Sequence, residues 1–336
     1  MSQAKGKGQG KSKALKFISD NVIILMILLA SVYASIQNSN FLSVNNIRNL
    51  LSNTAVRFII ACGVSGCLIT KGTDLSAGRV TGLAACLAGI LMQKADYASR
   101  FYPDMPELPM IVVLLIVVAI TGAIGAANGA IISYLKVPPF ITTLGMQTLV
   151  YGICLIYTGA IPIGGLRSDY TGLATGYVGT RMLSNLTIIA IIVGLLMWFL
   201  YNKTRHGKYM YAIGGNEIAA EVAGINVNKS KIKIYMLAGI LYGLTGFLVC
   251  AKSGGCSVNT GQGWELEAIA GCTIGGVSVN GGVGTIPGIL VGVLVFEVLK
   301  IVMQFLGIAS DYTYIAQGLV IIVAVALDLR KYLAKK

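Results

Sequence analysis

The sequence predicts an all-α polytopic membrane protein with about ten transmembrane helices, and three observations predict it. Hydrophobic residues make up 55% of the 336 and charged residues only 12%, about half the ~25% charged share of a soluble domain. Mean hydropathy is +0.77, so polar surface is too scarce to cover a soluble globule and lipid is the natural solvent. Apolar runs of near-spanning length also recur along the whole chain, separated by short segments that carry most of the basic residues.

A spanning helix needs about 20 largely apolar residues. Candidate spans lie at 17–37, 55–70, 77–93, 109–134, 140–158, 185–201, 232–251, 264–279, 284–306 and 312–329. The third and eighth are short and glycine-rich. Residues 1–16 are rich in Lys, Gly, Ser and Gln and are expected to be disordered. The first apolar run follows these lysines like a signal peptide, but with many spans behind it an uncleaved first span is the preferred reading. The domain organisation expected is therefore a basic tail (1–16), one transmembrane domain (17–330) with a cytoplasmic loop at 202–231, and a basic tail at 331–336.

Orientation follows from where the basic residues fall. With the N-terminus inside and ten alternating spans, the cytoplasmic side receives the N-terminal lysines, Lys71, Arg79, Lys136, the six basic residues of the long loop from Lys203 to Lys233, and the C-terminal Arg330, Lys331, Lys335 and Lys336. The outside receives fewer: Arg48, Arg57, Lys94, Arg100, Arg167, Arg181 and Lys252. Both termini are thus expected inside. The net charge of +13 is placed as topology and lipid-headgroup signals. No basic stripe interleaved with aromatics marks a nucleic-acid partner.

Small residues predict where helices touch. Gly284, Gly288 and Gly292 recur at every fourth position, as do Gly125 with Gly129 and Gly239 with Gly243; such faces let backbones approach closely in lipid. The stretch from Gly66 to Lys71 resembles that from Gly246 to Lys252, which pairs spans two to five with spans seven to ten. Five spans separate the halves, so the repeat is expected to be inverted.

Chemistry-bearing motifs are few. The cysteines (Cys62, Cys67, Cys86, Cys154, Cys250, Cys256 and Cys272) form no Cys-x-x-Cys pair, and His206 is the sole histidine. They read as packing residues, no metal site is expected, and a membrane enzyme would lack its nucleophile–base set. A phosphate-binding loop needs Gly-x-x-x-x-Gly-Lys-Ser/Thr. Gly10-Lys11-Ser12 ends correctly, but Lys5 stands where the first glycine belongs, so any ATP is expected on a partner. In the long loop, Asn216 is a good N-cap, Glu217 suits the positive helix start, and Gly224 suits a left-handed C-cap. A two-turn helix results, too short to stand alone, and it must dock on something.

At this loop the chain resembles the permease subunits of bacterial ATP-binding-cassette sugar importers. Ala219-Ala220 followed by Gly224 resembles the core of their coupling loop, with Ile218 in place of the usual leading glutamate. Thr204-Arg205-His206-Gly207 and Ala212-Ile213-Gly214, with Asn216, are similar to the ribose/xylose/galactoside branch. So is Gly72-Thr73-Asp74-Leu75-Ser76-Ala77-Gly78, where the flanking Lys71 and Arg79 look most like a galactose/methyl-galactoside permease. Asn128-Gly129, the stretch from Pro139 to Gly145, and Gly275-Gly276-Val277-Ser278 with Gly281-Gly282-Val283-Gly284-Thr285 extend the resemblance over nearly the whole chain.

The resemblance implies a non-enzymatic transport subunit of the bacterial inner membrane, working as a homodimer with an ATPase subunit that holds ATP and Mg, and with a sugar-binding protein outside. It implies that Gly214, Asn216, Glu217, Ala219, Ala220 and Gly224 couple to the ATPase. Candidates for the path or gate are Asp74, Ser76, Arg79, Asn128, Thr142 and Thr143. From the residues alone, Asp74 has three readings: a cap on the third helix, a partner of Arg79, or a path group at the inner end of the spans. Glu297 has a helix-spaced partner in Lys300, Glu265 and Glu267 suit the outer interface or a contact with the delivery protein, and His206 is expected to be solvated. An ion-coupled secondary sugar transporter is the alternative; it would need buried carboxylates near the membrane centre, for which Asp74 and Glu297 are the candidates.

Overall fold

In this computed structural model residues 22–179 and 183–333 are described. The basic segment 1–16, the start of the first predicted span, Arg181 and residues 334–336 lie outside the described residues. Each predicted span meets a helix: α1 (Val22–Gln37), α2 (Val44–Ile69), α3 (Ala77–Leu91), α4 (Met110–Tyr134) and α5 (Pro139–Thr158). A short α6 (Ser168–Thr175) and a two-stranded hairpin, β1 (Tyr177–Val178) with β2 (Leu183–Ser184), precede α7 (Asn185–Lys203). Then come α8 (Arg205–Gly215), α9 (Glu217–Val222), α10 (Val227–Ser253), α11 (Trp264–Ile274), α12 (Ile286–Phe305) and α13 (Ser310–Leu333). Among the described residues, α2, α4, α5, α7, α10 and α12 are long and apolar enough to cross a membrane.

Capping explains where the ends differ from hydropathy. Helix α2 starts at Val44, well before residue 55, because Ser43 Oγ accepts from Asn46 N at 3.3 Å. Helix α10 starts at Val227, ahead of 232, because Asn226 Oδ1 accepts from Lys229 N at 2.9 Å. Both first turns are polar and hydropathy passes over them. The eighth predicted span stops at Ile274, where Gly275 and the left-handed Gly276 (φ 85°) end α11.

Helices α2 and α10 are the two buried centres. Helix α10 packs on α3 and α4, while α2 packs on α11 and α12. Each half's central helix is thus embraced by the short and long helices of the other half, and α3 and α11 lie on α5 and α13 in turn. The predicted glycine seams form these contacts. A Cβ on Gly125 or Gly129 would run into the backbone of Tyr235 or Ile232, and one on Gly239 into that of Thr121. Around this centre, outward residues such as Leu115, Ile156, Leu195 and Ile322 are exposed, as a lipid-facing surface requires.

One end of the bundle gathers the ends of α2, α4 and α11, the starts of α5, α10 and α12, and all of α8 and α9. Gly282 N bonds Ile69 O at 2.8 Å there, and Tyr211 OH donates to Gly284 O at 2.7 Å. Lys71, Lys136 and Lys231 make this the basic end of the bundle.

The short helices α3 and α11 start at mid-depth. Asp74 reaches Tyr242, near the middle of α10 (Val227–Ser253), and Gly78 packs against Gly261 and Glu265. From there α3 runs toward the far end and α11 toward the basic end. Two non-helical segments feed them: 70–76 rises from the basic end, and 254–263 returns from the far end alongside α3. Cys256 pairs with Ile163 near that far end, and Thr260 and Gly261 lie on Gly82 and Gly78. The third and eighth predicted spans are therefore half-length helices that meet at their N-termini.

Candidate functional site

The surface at the basic end is built by α8, α9 and the start of α10. Helix α8 was absent from the expectation for the loop, because Gly207, Gly214 and Gly215 depress local helix propensity. Its signal was Thr204, whose Oγ1 accepts from Gly207 N at 3.4 Å, followed by the buried positions Gly207, Met210, Ile213 and Gly214 on one helical face. Helix α9 follows the sequence reading closely. Asn216 Oδ1 accepts from Ala219 N at 3.0 Å, and Gly224 is left-handed (φ 84°) and donates to Glu221 O at 2.9 Å.

Ala220 anchors α9 against Ile213 and Val227. Glu217 binds Lys231 Nζ through both carboxylate oxygens at 2.8 Å, a partner local spacing does not show. Gly214 packs against Ile69 and Gly282, tying α8 to the end of α2. Ala219 is exposed. Ile218 and Val222, one turn apart, are 76% and 85% exposed, so the helix offers an apolar pair to solvent.

Four of the six residues nominated for a path, Asp74, Ser76, Asn128 and Thr143, gather in one buried network at mid-depth. Asp74 Oδ1 accepts from Ser76 N at 3.0 Å and from Ser76 Oγ at 2.6 Å. Its Oδ2 accepts from Tyr242 OH at 3.2 Å. Asn128 Nδ2 donates to Ser76 Oγ at 3.0 Å. Thr143 Oγ1 donates to Thr73 O and accepts from Leu75 N, both at 3.1 Å.

Asp74 is 1% exposed; its turn closes just ahead of α3, whose N-cap Ser76 makes no side-chain cap bond. The carboxylate thus fixes the break before α3 without capping the helix, and it lies at mid-depth, not at the inner end. Arg79 goes elsewhere: its guanidinium donates to Val258 O at 3.0 Å and lies 4.1 Å from the Tyr151 ring centroid. Thr142 is buried beside the network, and its Oγ1 has no partner. Tyr242 escaped the sequence reading; a tyrosine in mid-span, away from the interface where its hydroxyl is easily hydrated, was the available signal.

Nearer the far end, Arg57, Glu267, Lys300 and Glu297 form an ion cluster. Arg57 Nη1 lies 2.7 Å from Glu267 Oε2, and Lys300 Nζ lies 2.7 Å from Glu267 Oε2 and 3.0 Å from Glu297 Oε1. Arg57 also covers the Trp264 ring at 3.7 Å. The expected Glu297–Lys300 pair is present within a larger set. Glu265 is buried and Glu267 is engaged here, so neither is free for the delivery-protein contact expected of them. His206, in the first turn of α8, is half-buried with Nε2 unpartnered, not solvated as expected.

Two cavities accompany these clusters. One of about 400 Å³ lies beside Asn53, Arg57, Lys252, Trp264 and Glu297; another of about 250 Å³ lies at the basic end beside Lys71, Lys136, Glu217, Lys231 and Tyr235. Among the described residues no group of metal-ligating side chains could hold an ion, and the cysteines are free thiols, buried except for the half-buried Cys256.

Comparison with known proteins gives this architecture its context. The chain is 44% identical over 331 residues to the galactose/methyl galactoside import permease protein MglC of Escherichia coli (strain K12), covering 97% of this chain and 98% of that one. It is 46% identical over 319 residues to MglC of Salmonella typhimurium, covering 94% of each. Against the ribose import permease protein RbsC of Escherichia coli (strain K12) it is 35% identical over 322 residues, covering 95% and 96%. No solved structure matches. The family described as branched-chain amino acid transport system / permease component matches residues 46–325, and the chain belongs to it, as a multi-pass membrane permease component and not an enzyme.

Proposed function

We propose that the chain is the membrane subunit of an ATP-driven importer for galactose and methyl galactosides, working as a homodimer with two ATPase subunits inside and a sugar-binding protein outside. The observation that carries the reading is α9. A capped six-residue helix, pinned through Ala220 and Glu217 while it exposes Ile218 and Val222, suits a partner's groove and serves little purpose without one. Such a pair, left in water, forfeits burial worth about 1.5–3 kcal/mol for each large apolar side chain.

The pinning suggests how force is passed on. Displacement of α9 by a closing ATPase pair would pull on α10 through Lys231 and, through α8, on the end of α2 at Ile69. Those are the two central helices, so the push would reach both halves. A second copy would find room on α5, where a Cβ on Gly145 or Gly152 would meet nothing within 4 Å, an open face of the kind used for close helix approach in lipid. The inverted repeat and inside termini remain part of the reading; the reciprocal packing of the two halves supports the former. Family membership favours this importer over the ion-coupled alternative.

The test is reconstitution of the chain with its ATPase and binding protein in liposomes. Galactoside uptake and sugar-stimulated ATP hydrolysis are expected to appear together. Val222→Asp and Gly224→Glu are expected to abolish uptake while the chain still inserts. Uptake driven by an ion gradient without ATP, and indifferent to both substitutions, would overturn the reading.

A further inference from the structure

The segment 254–263 poses a physical problem. It is non-helical, and it returns to mid-depth along α3. Irregular backbone at that depth is tolerated only where protein buries it or water reaches it. Val258 and Gly261 are buried, Gly261 against Gly78 and Gly82 of α3. Asn259 and Gln262 are not: both are exposed. Their backbones close a turn, with Gln262 N donating to Asn259 O at 3.1 Å, and their side-chain amides have no protein partner among the described residues. Two bare amides at mid-depth have no stable place in hydrocarbon.

The surroundings point the same way. Arg79 is half-buried and ties the segment to α5, by its bond to Val258 O and its stacking on Tyr151. Behind the segment, Glu265 is 5% exposed, its Oε2 has no partner, and it lies against Gly78 in the first turn of α3. Half-helix N-termini that meet beside an unsatisfied polar group are how discontinuous helices build substrate sites at mid-depth in transporters.

We propose that the returning segment 257–263 lines an aqueous path at mid-depth, and that the amides of Asn259 and Gln262, with the Arg79 guanidinium, hold a neutral monosaccharide there by its hydroxyls. An amide both donates and accepts, as a sugar hydroxyl does, and the two amides bring no net charge. The proposal rests on the importer reading and adds the place of sugar contact.

Two measurements test it on the assembled transporter. In the first, Asn259→Cys and Gln262→Cys are exposed to a charged methanethiosulfonate reagent, with Leu115→Cys on the apolar face of α4 as the lipid-facing control and the unsubstituted chain as background. Both cysteines are expected to react at least about tenfold faster than the control, because a thiolate forms only in water. Reaction at the control's rate would overturn the proposal, whether or not the chain transports.

In the second, Asn259→Leu and Gln262→Leu are expected to lower the maximal rate of galactoside uptake about tenfold, the size of one lost hydrogen bond. The half-saturating concentration, set by the delivery protein, should hold, and Gln262→Asn should recover part of the rate. An unchanged maximal rate in both leucine variants would overturn the sugar contact. Absence of any sugar uptake by the unsubstituted transporter would instead overturn the importer reading and leave the labelling result to stand by itself.

Discussion

Two polar clusters sit inside this bundle, and they solve the same problem in opposite ways. Around Asp74 a single carboxylate is held by uncharged donors: Ser76 N and Oγ, and Tyr242 OH. Among the described residues no cation touches it. Around Glu267 two carboxylates and two cations alternate, with Arg57 and Lys300 between Glu267 and Glu297. The first cluster sits where the chain breaks to start α3. The second ties α11 and α12 to α2. Hydroxyl and amide donors let a lone acid define a bend, whereas a closed charge ring resists the removal of any member. The first suits a joint and the second a clamp.

That contrast can be broken by substitution. The largest effect is expected for Arg57→Met, which leaves Glu267 sharing Lys300 with Glu297 and strips the Trp264 face. Breaking one partner out of a fully buried ion set costs about 3–5 kcal/mol, an upper bound here because Arg57, Glu267 and Lys300 are half-buried. Thermal unfolding in nanodiscs should show a large loss, mostly recovered in Arg57→Met/Glu267→Gln, where the remaining charges balance. A double variant no better than the single would mean the clamp does not act as a charge set.

A smaller effect is expected at the joint. Asp74→Ala leaves Tyr242 and Ser76 without their acceptor, worth about 1–3 kcal/mol in the same assay. Asp74→Asn keeps an acceptor for Ser76 and should cost less than Asp74→Ala. If Asp74→Asn proved the worse of the two, the negative charge itself would matter and the joint would resemble the clamp after all.

The smallest effect is expected at His206. Burial, then the charge of nearby Lys233, hold its pKa below the ordinary value, which is about 6.5. The fold therefore favours the neutral ring, and the unfolded chain binds more protons between the two pKa values. Stability from this group is complete above the unfolded value and is lost as pH falls through it toward the folded one. The slope of stability with pH just below that value should flatten in His206→Gln, and an unchanged slope would place the titration elsewhere.

The same two clusters show how much of the molecule was legible in its sequence. Hydropathy located every helix that anchors them, and the glycine spacing marked the two faces, on α4 and on α10, that the fold brings together. Asn216 and Gly224 marked α9 because capping is local chemistry. Glu297 with Lys300 was legible because it is one helix turn. Arg57 with Glu267 was not, since the two lie on different helices and only packing brings them together. The same holds for Tyr242 with Asp74 and for Glu217 with Lys231. The mid-depth start of α3 and α11 was hidden for another reason: a half-length apolar helix preceded by glycine-rich chain has nearly the hydropathy of a short full span, so Arg79 was placed at the cytoplasmic end.

Those half-length helices have a consequence for how the protein is made. At 15 and 11 residues, α3 and α11 fall short of the ~20 that partition stably across a bilayer, and each is led by bare backbone. Neither can leave the insertion machinery for lipid unaccompanied. Helix α3 must wait for partners that cover segment 70–76. Asn128 of α4 and Thr143 of α5 contribute early, but the cover is completed only by Tyr235 and Tyr242 of α10, synthesised much later. The nascent chain therefore keeps its first half open until Tyr242 and the Gly246 face of α10 emerge, so a ribosome halted before residue 253 should leave α3 open to protease while α4 and α5 are already embedded.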